Sequence, residues 1–157
     1  MEANKQLIEQ FYQSFAKGDY KGMVECYHDD IVFEDPAFGV LKGRKVKAMW
    51  QMLVSRNKGE IKIHYSDVSS NNSIGAVNWK AEYVFKQTGR PVVNHITAKF
   101  EFKDGKIIKH TDYFNLWLWS RQALGFKGVL LGWTPFMKTE IQQSTNQLLA
   151  SFMMASS

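Results

Sequence analysis

With 157 residues, 45% hydrophobic and 14% aromatic, the chain is long enough for a sizeable apolar core and too apolar for a disordered segment. Its single cysteine, Cys26, excludes an internal disulfide, and the net charge of +5 is too scattered to mark a nucleic-acid surface. His28, His64, His95 and His110 are far apart in sequence and no nucleotide or flavin motif is present, so neither a metal nor a cofactor is expected.

Leu7, Ile8, Phe11, Tyr12 and Phe15 recur at helical spacing and Gly18 follows as a stop, which predicts an amphipathic helix from about Asn4 to Lys17. No apolar signal core precedes it from Met1 onward and no run reaches a spanning length, so the default expectation is a cytoplasmic protein without a membrane span. Asp19 caps a short second helix with Met23, Val24 and Tyr27 on its apolar side.

The chain then turns extended through His28–Gly39, where Asp35 stands among Val32, Phe33 and Phe38 directly before Pro36. Proline disfavours the helical region for the residue before it, so Asp35 belongs in extended or turn geometry. Two roles are open to it. It can cap backbone amides at the start of a turn, or it can be a desolvated carboxyl of raised pKa suited to acid–base work. After Gly43 a third helix carries Val46, Met49, Trp50 and Leu53 on one face and ends near Arg56, before Asn57-Lys58-Gly59. Lys42, Arg44, Lys45 and Lys47 read as its solvated face.

From Glu60 the period changes to two. Ile61, Ile63 and Tyr65, then Trp79, Ala81, Tyr83 and Phe85, then Ile96, Ala98, Phe100 and Phe102 alternate with polar residues. Four strands follow, joined by turns at 71–73, 88–91 and 103–106. Helices first and an antiparallel meander afterwards predict an α+β fold, the sheet wrapped around the helices. In the last strand Ile108, His110, Asp112, Phe114 and Leu116 share one face. If that face is inward, a histidine and an aspartate lie two residues apart inside the protein; the opposite register exposes Asp112 and buries Tyr113.

Beyond Asn115 the chain is strongly apolar, through Trp117, Trp119, Phe126, Leu130 and Trp133, and Gly125, Gly128 and Gly132 rule out one long helix. Thr134 and Pro135 open a terminal helix that buries Ile141, Leu148 and Phe152. So much apolar, loop-like chain needs covering, as a lid, a dimer seam or a bed for the terminal helix.

The helix ending in Lys17-Gly18-Asp19, the segment Val32-Phe33-Glu34-Asp35-Pro36-Ala37-Phe38-Gly39, and the helix and four strands that follow resemble the nuclear transport factor 2-like (NTF2-like) superfamily. Within it they are similar to the ketosteroid isomerase and SnoaL-like (polyketide cyclase) branches. The resemblance spans about residues 4–117, leaving 118–157 as an apolar loop and helix added to a single domain of residues 1–157. It implies a cone-shaped curved antiparallel sheet around a deep apolar pocket, usually in a homodimer. It matches Asp35 to the family's proton-shuttling aspartate. It also puts the isomerases' two oxyanion donors on Phe11 and Ala98, which cannot donate, and so argues against efficient ketosteroid isomerisation.

The resemblance turns His110, Asp112 and Phe114 toward the pocket, with Asp112 as the acid–base group of the cyclases. The implied site has Asp35, His110 and Asp112 as catalytic groups and Phe11, Phe15, Phe33, Trp50, Ala98, Phe100 and Phe114 as substrate-binding walls. The implied activity is isomerisation, cyclisation or hydration of a small hydrophobic oxygenated molecule. Hydrolysis is a lesser alternative, because the arginine and second carboxylate of the related epoxide hydrolases have no clear match. A non-catalytic binder of a lipophilic molecule and a protein-interaction adaptor are the other readings. The expected partners are a small hydrophobic molecule and a second copy of the chain, with neither nucleic acid nor a membrane span.

Overall fold

The computed structural model describes residues 2–57 and 60–156. Helix α1 (Glu2–Ala16) turns Ile8, Phe11, Tyr12 and Phe15 inward, and the Asp19 side chain accepts from the Gly22 amide at 3.0 Å to start α2 (Tyr20–Glu25). Tyr27 was expected on the apolar side of α2. It opens strand β1 (Tyr27–Asp35) instead, because the helix ends at Cys26, whose carbonyl accepts from the Ile107 amide at 2.9 Å.

Strand β2 (Gly39–Lys42) folds back antiparallel on β1. With four residues, of which Leu41 alone is buried, it is too short to show a period. Helix α3 (Arg44–Asn57) buries Val46, Met49 and Trp50, together with Met52 and Val54. Lys42, Arg44 and Lys45 are exposed, and Lys47 pairs with Asp29 at 3.3 Å. The break expected at Lys58-Gly59 lies outside the described residues, as does Met1.

Strands β3 (Lys62–Ser70), β4 (Ile74–Phe85), β5 (Arg90–Lys103) and β6 (Lys106–Tyr113) form the meander. The six strands make one open sheet in the order β2-β1-β6-β5-β4-β3, in which β1 and β6 run parallel and the other neighbours antiparallel. Register shifts interrupt the β1–β6, β3–β4 and β5–β6 ladders; such bulges bend strands and curve the sheet. The bulge in β6 alters the expected face. Glu101 lies opposite Lys109 and Phe102 opposite Ile107, so Ile108 is the extra residue and Ile107 takes the buried position. Alternation resumes after it, with His110 and Asp112 inward and Tyr113 outward.

Helix α1 packs on β3 and β4, and α3 on β1 and β2, so the core is filled from the helical side of the sheet. The glycine-rich stretch expected as loop forms two short helices, α4 (Leu116–Leu124) and α5 (Phe126–Leu131), broken at Gly125. At Gly128 an added Cβ would collide with the Ser120 carbonyl, so the two helices approach at backbone distance. The Thr134 hydroxyl accepts from the Met137 amide at 3.1 Å and starts α6 (Pro135–Ser156). That helix fully covers Met137, Ile141 and Leu149, while Leu148 and Phe152 are only half-buried.

Candidate active site

The spacing of His110 and Asp112 on β6 directs both side chains to the inner face, and the His110 ring is wholly buried. His110 Nε2 lies 2.9 Å from Asp112 Oδ1, and His110 Nδ1 lies 2.7 Å from the Tyr27 hydroxyl. Trp50 Nε1 donates to that hydroxyl at 2.8 Å, and Trp79 Nε1 donates to Asp112 Oδ1 at 3.3 Å.

These directions assign the tautomer. An indole N–H can only donate, so the Tyr27 oxygen accepts from Trp50 and its own proton goes to His110 Nδ1. The remaining ring proton, on Nε2, then points at the Asp112 carboxylate. A doubly protonated imidazole would leave the buried Tyr27 proton without an acceptor. Burial, and next the charge of Asp112, hold the Tyr27 phenol well above its ordinary pKa, which keeps it a donor. The chain Trp50–Tyr27–His110–Asp112 therefore fixes one oxygen of Asp112 and leaves Oδ2 without a hydrogen bond from any described residue.

Asp35 ends β1, where it both caps a turn and is desolvated. Its Oδ1 accepts from the amides of Ala37 at 2.9 Å and Phe38 at 2.6 Å, the geometry of a turn cap. Its carboxyl also faces a cavity, and its pKa is pushed up to about 7. Burial is the main cause and the charge of Asp112 adds to it, against the stabilising amides of Phe38 and Ala37. The turn is gripped from outside by α6. Gln142, Thr145 and Asn146 donate to the carbonyls of Pro36, Ala37 and Phe38 at 3.0, 2.7 and 2.9 Å. The added C-terminal helix thus holds the turn that orients Asp35.

Asp35 and Asp112 line the same cavity, about 600 Å³ in volume. Phe15, Phe33, Trp50 and Phe114 form part of its wall. Phe11, Ala98, Phe100 and His110 are not in the wall, a correction to the sequence reading. The imidazole is packed behind the wall, with the rings of Phe100, Phe33 and Phe11 around it at centroid distances of 4.6, 5.1 and 5.5 Å. His110 thus meets the cavity through Asp112 rather than directly.

Two residues of the site escaped the sequence reading. Tyr83 on β4 lines the cavity, and its hydroxyl accepts from Trp119 Nε1 of α4 at 2.7 Å, leaving its own proton to donate. Burial, eased by that bond and reinforced by the charge of Asp35, raises its pKa. The alternation of β4 put Tyr83 inward, but nothing in sequence joined it to Trp119. Tyr27 was missed because it was read as helical. Behind the site, Tyr12 has a buried hydroxyl with no hydrogen-bond partner among the described residues. Among those residues no group of three His, Cys, Asp or Glu side chains converges on a metal position.

A bent, open sheet packed by helices on its inner face is the architecture of the NTF2-like proteins. An NTF2-like protein from Anabaena variabilis has it with a TM-score of 0.61 at 23% identity, over 73% of this chain and 87% of that one. An LEH-like epoxide hydrolase from M. tuberculosis aligns over 83% of this chain and 92% of its own, at 20% identity and a TM-score of 0.59. TerC, co-crystallised with polyporic acid, aligns over 72% and 92% at 16% identity and a TM-score of 0.60. Within this class the chain belongs to the SnoaL-like domain family, whose match covers residues 8–110. No curated protein sequence matches it.

Proposed function

We propose that the protein is an acid–base catalyst of isomerisation, cyclisation or hydration on a small hydrophobic oxygenated molecule held in this cavity. The observation that carries the proposal is the presence of two carboxyls of different environment in one apolar cavity, Asp112 tied to a buried neutral imidazole and Asp35 raised to about 7. Carboxyls whose surroundings differ in this way can divide the acid and base roles near neutral pH.

In this reading Asp112 Oδ2 takes a proton from the substrate while His110 and Trp79 hold Oδ1. Asp35, protonated on about half the molecules near pH 7, returns a proton at a second position. Tyr83 donates to the substrate oxygen on which charge develops, a duty that Phe11 and Ala98 cannot perform. The similarity to an epoxide hydrolase and to TerC supports an organic molecule as the occupant.

The test is turnover of a panel of hydrophobic hydroxyketones and epoxides by wild type and Asp112→Asn. The amide oxygen still accepts from His110 and Trp79, so the fold is retained while the base is lost. The expected drop is about a hundredfold or more. An Asp112→Asn variant as fast as wild type sinks the mechanism. A second reading, a binding protein for a lipophilic molecule, draws on the turn cap, since that cap alone gives Asp35 a structural reason to be present. Native mass spectrometry that recovers a bound molecule unmodified after incubation favours this second reading.

A further inference from the structure

The segment added after the SnoaL-like match exposes a run of large apolar groups: Phe126 at 77%, Leu130 at 54%, Trp133 at 70% and Phe136 at 64%. Scattered surface hydrophobes need no explanation, but a cluster of this kind marks an interaction face. The spacing 126, 130, 133 places three of them on one side of α5 and its exit turn. Trp133 Nε1 donates to the Leu130 carbonyl at 3.1 Å, which folds the indole back on that side, and Phe136 follows in the first turn of α6.

The charge of the same segment is predominantly positive. Between Asp112 and Glu140 there is no carboxylate, whereas Arg121, Lys127 and Lys138 are all exposed. We propose that this α4–α5–α6 elbow docks on an anionic lipid bilayer, with the aromatic groups in the acyl–headgroup boundary and the three cations among the headgroups. The alternative occupant, a second copy of the chain, fits the charge poorly. A two-fold contact sets a patch against itself, so the three cations would face the same three cations with Glu140, one turn beyond Phe136, as the single nearby carboxylate to offset them. An anionic bilayer supplies both the missing charge and the apolar medium.

Among the described residues no helix is long and apolar enough to cross a membrane, so the elbow lies on the surface. Leu124, Lys127 and Met137 belong both to this elbow and to the cavity lining. Docking therefore brings the cavity beside the bilayer, and a lipophilic molecule can pass between them without crossing water.

The experiment is flotation of the full chain with phosphatidylcholine vesicles, with or without phosphatidylglycerol, at low and high salt. The expected result is flotation only with phosphatidylglycerol, weakened by salt because exposed charges are screened. Phe126→Ser combined with Trp133→Ser lowers the bound fraction about tenfold or more, since two interfacial rings are lost. Lys138→Glu lowers it too, and circular dichroism and melting of all these variants match wild type. Absence of flotation, or flotation that ignores the substitutions, overturns the proposal. A dimer in sedimentation that Phe126→Ser and Trp133→Ser dissolve overturns it as well and assigns the face to a second copy. Asp112→Asn floats like wild type, which keeps this test separate from the test of the chemistry.

Discussion

Two tyrosine-to-phenylalanine substitutions in the same core are expected to behave in opposite ways. Tyr27→Phe removes a hydroxyl that accepts from Trp50 and donates to His110, all within fully buried surroundings. It leaves an indole N–H and an imidazole nitrogen without partners. Each buried group so stranded costs about 1–3 kcal/mol, so the pair should cost about 2–6 kcal/mol. For a chain of this size that is on the order of 10 °C in melting temperature. Tyr12→Phe removes a hydroxyl that is already unpartnered, so it should be neutral or slightly stabilising. Chemical denaturation of both variants, with equal m-values as the check on two-state behaviour, gives the comparison. A Tyr27→Phe midpoint within about 0.5 kcal/mol of wild type would refute the network, because that is the scatter of substitutions that touch nothing. So would a Tyr12→Phe that falls as far as Tyr27→Phe.

Asp35 links stability to pH. Its native pKa of about 7 lies above the ordinary 3.8, so its contribution is fully present below pH 4 and is lost as pH rises through 7. Asp35→Asn keeps the two amide contacts through its side-chain oxygen and cannot ionise, so its melting temperature relative to wild type should rise between pH 4 and pH 8. Parallel curves over that range rule out the shifted pKa. Cutting the outer grip with Gln142→Ala, Thr145→Val and Asn146→Ala should cost about 1 kcal/mol per lost hydrogen bond. It should also shift the alkaline limb of the pH–rate profile, where Asp35 loses the proton it returns, since the turn that aims Asp35 loosens. A loss of stability with an unchanged profile would make α6 a mere brace.

Local patterns carried much of this protein. Helical spacing in α1 and α3, the cap at Asp19, the alternation of β4 and β5 and the Thr134–Pro135 start of α6 are all short-range signals, fixed by backbone geometry within a few residues, and the α+β fold follows from their order. The sequence also marked Asp35, through Pro36, and the pair His110 and Asp112, through their two-residue spacing. It could not announce the β6 bulge, because the extra residue is defined by the partner strand. Nor could it tell that the His110 ring would be buried against Phe11 and Phe100, or that Phe11, Ala98 and Phe100 would stay out of the cavity wall. The links from Tyr27 to His110, from Trp119 to Tyr83 and from α6 to the Asp35 turn join residues 36 to 108 positions apart, and only the tertiary fold brings them together. The sequence thus determined which groups could carry chemistry; the packing decided which of them meet, because hydrogen bonds and desolvation depend on a few ångströms of separation that no local pattern encodes.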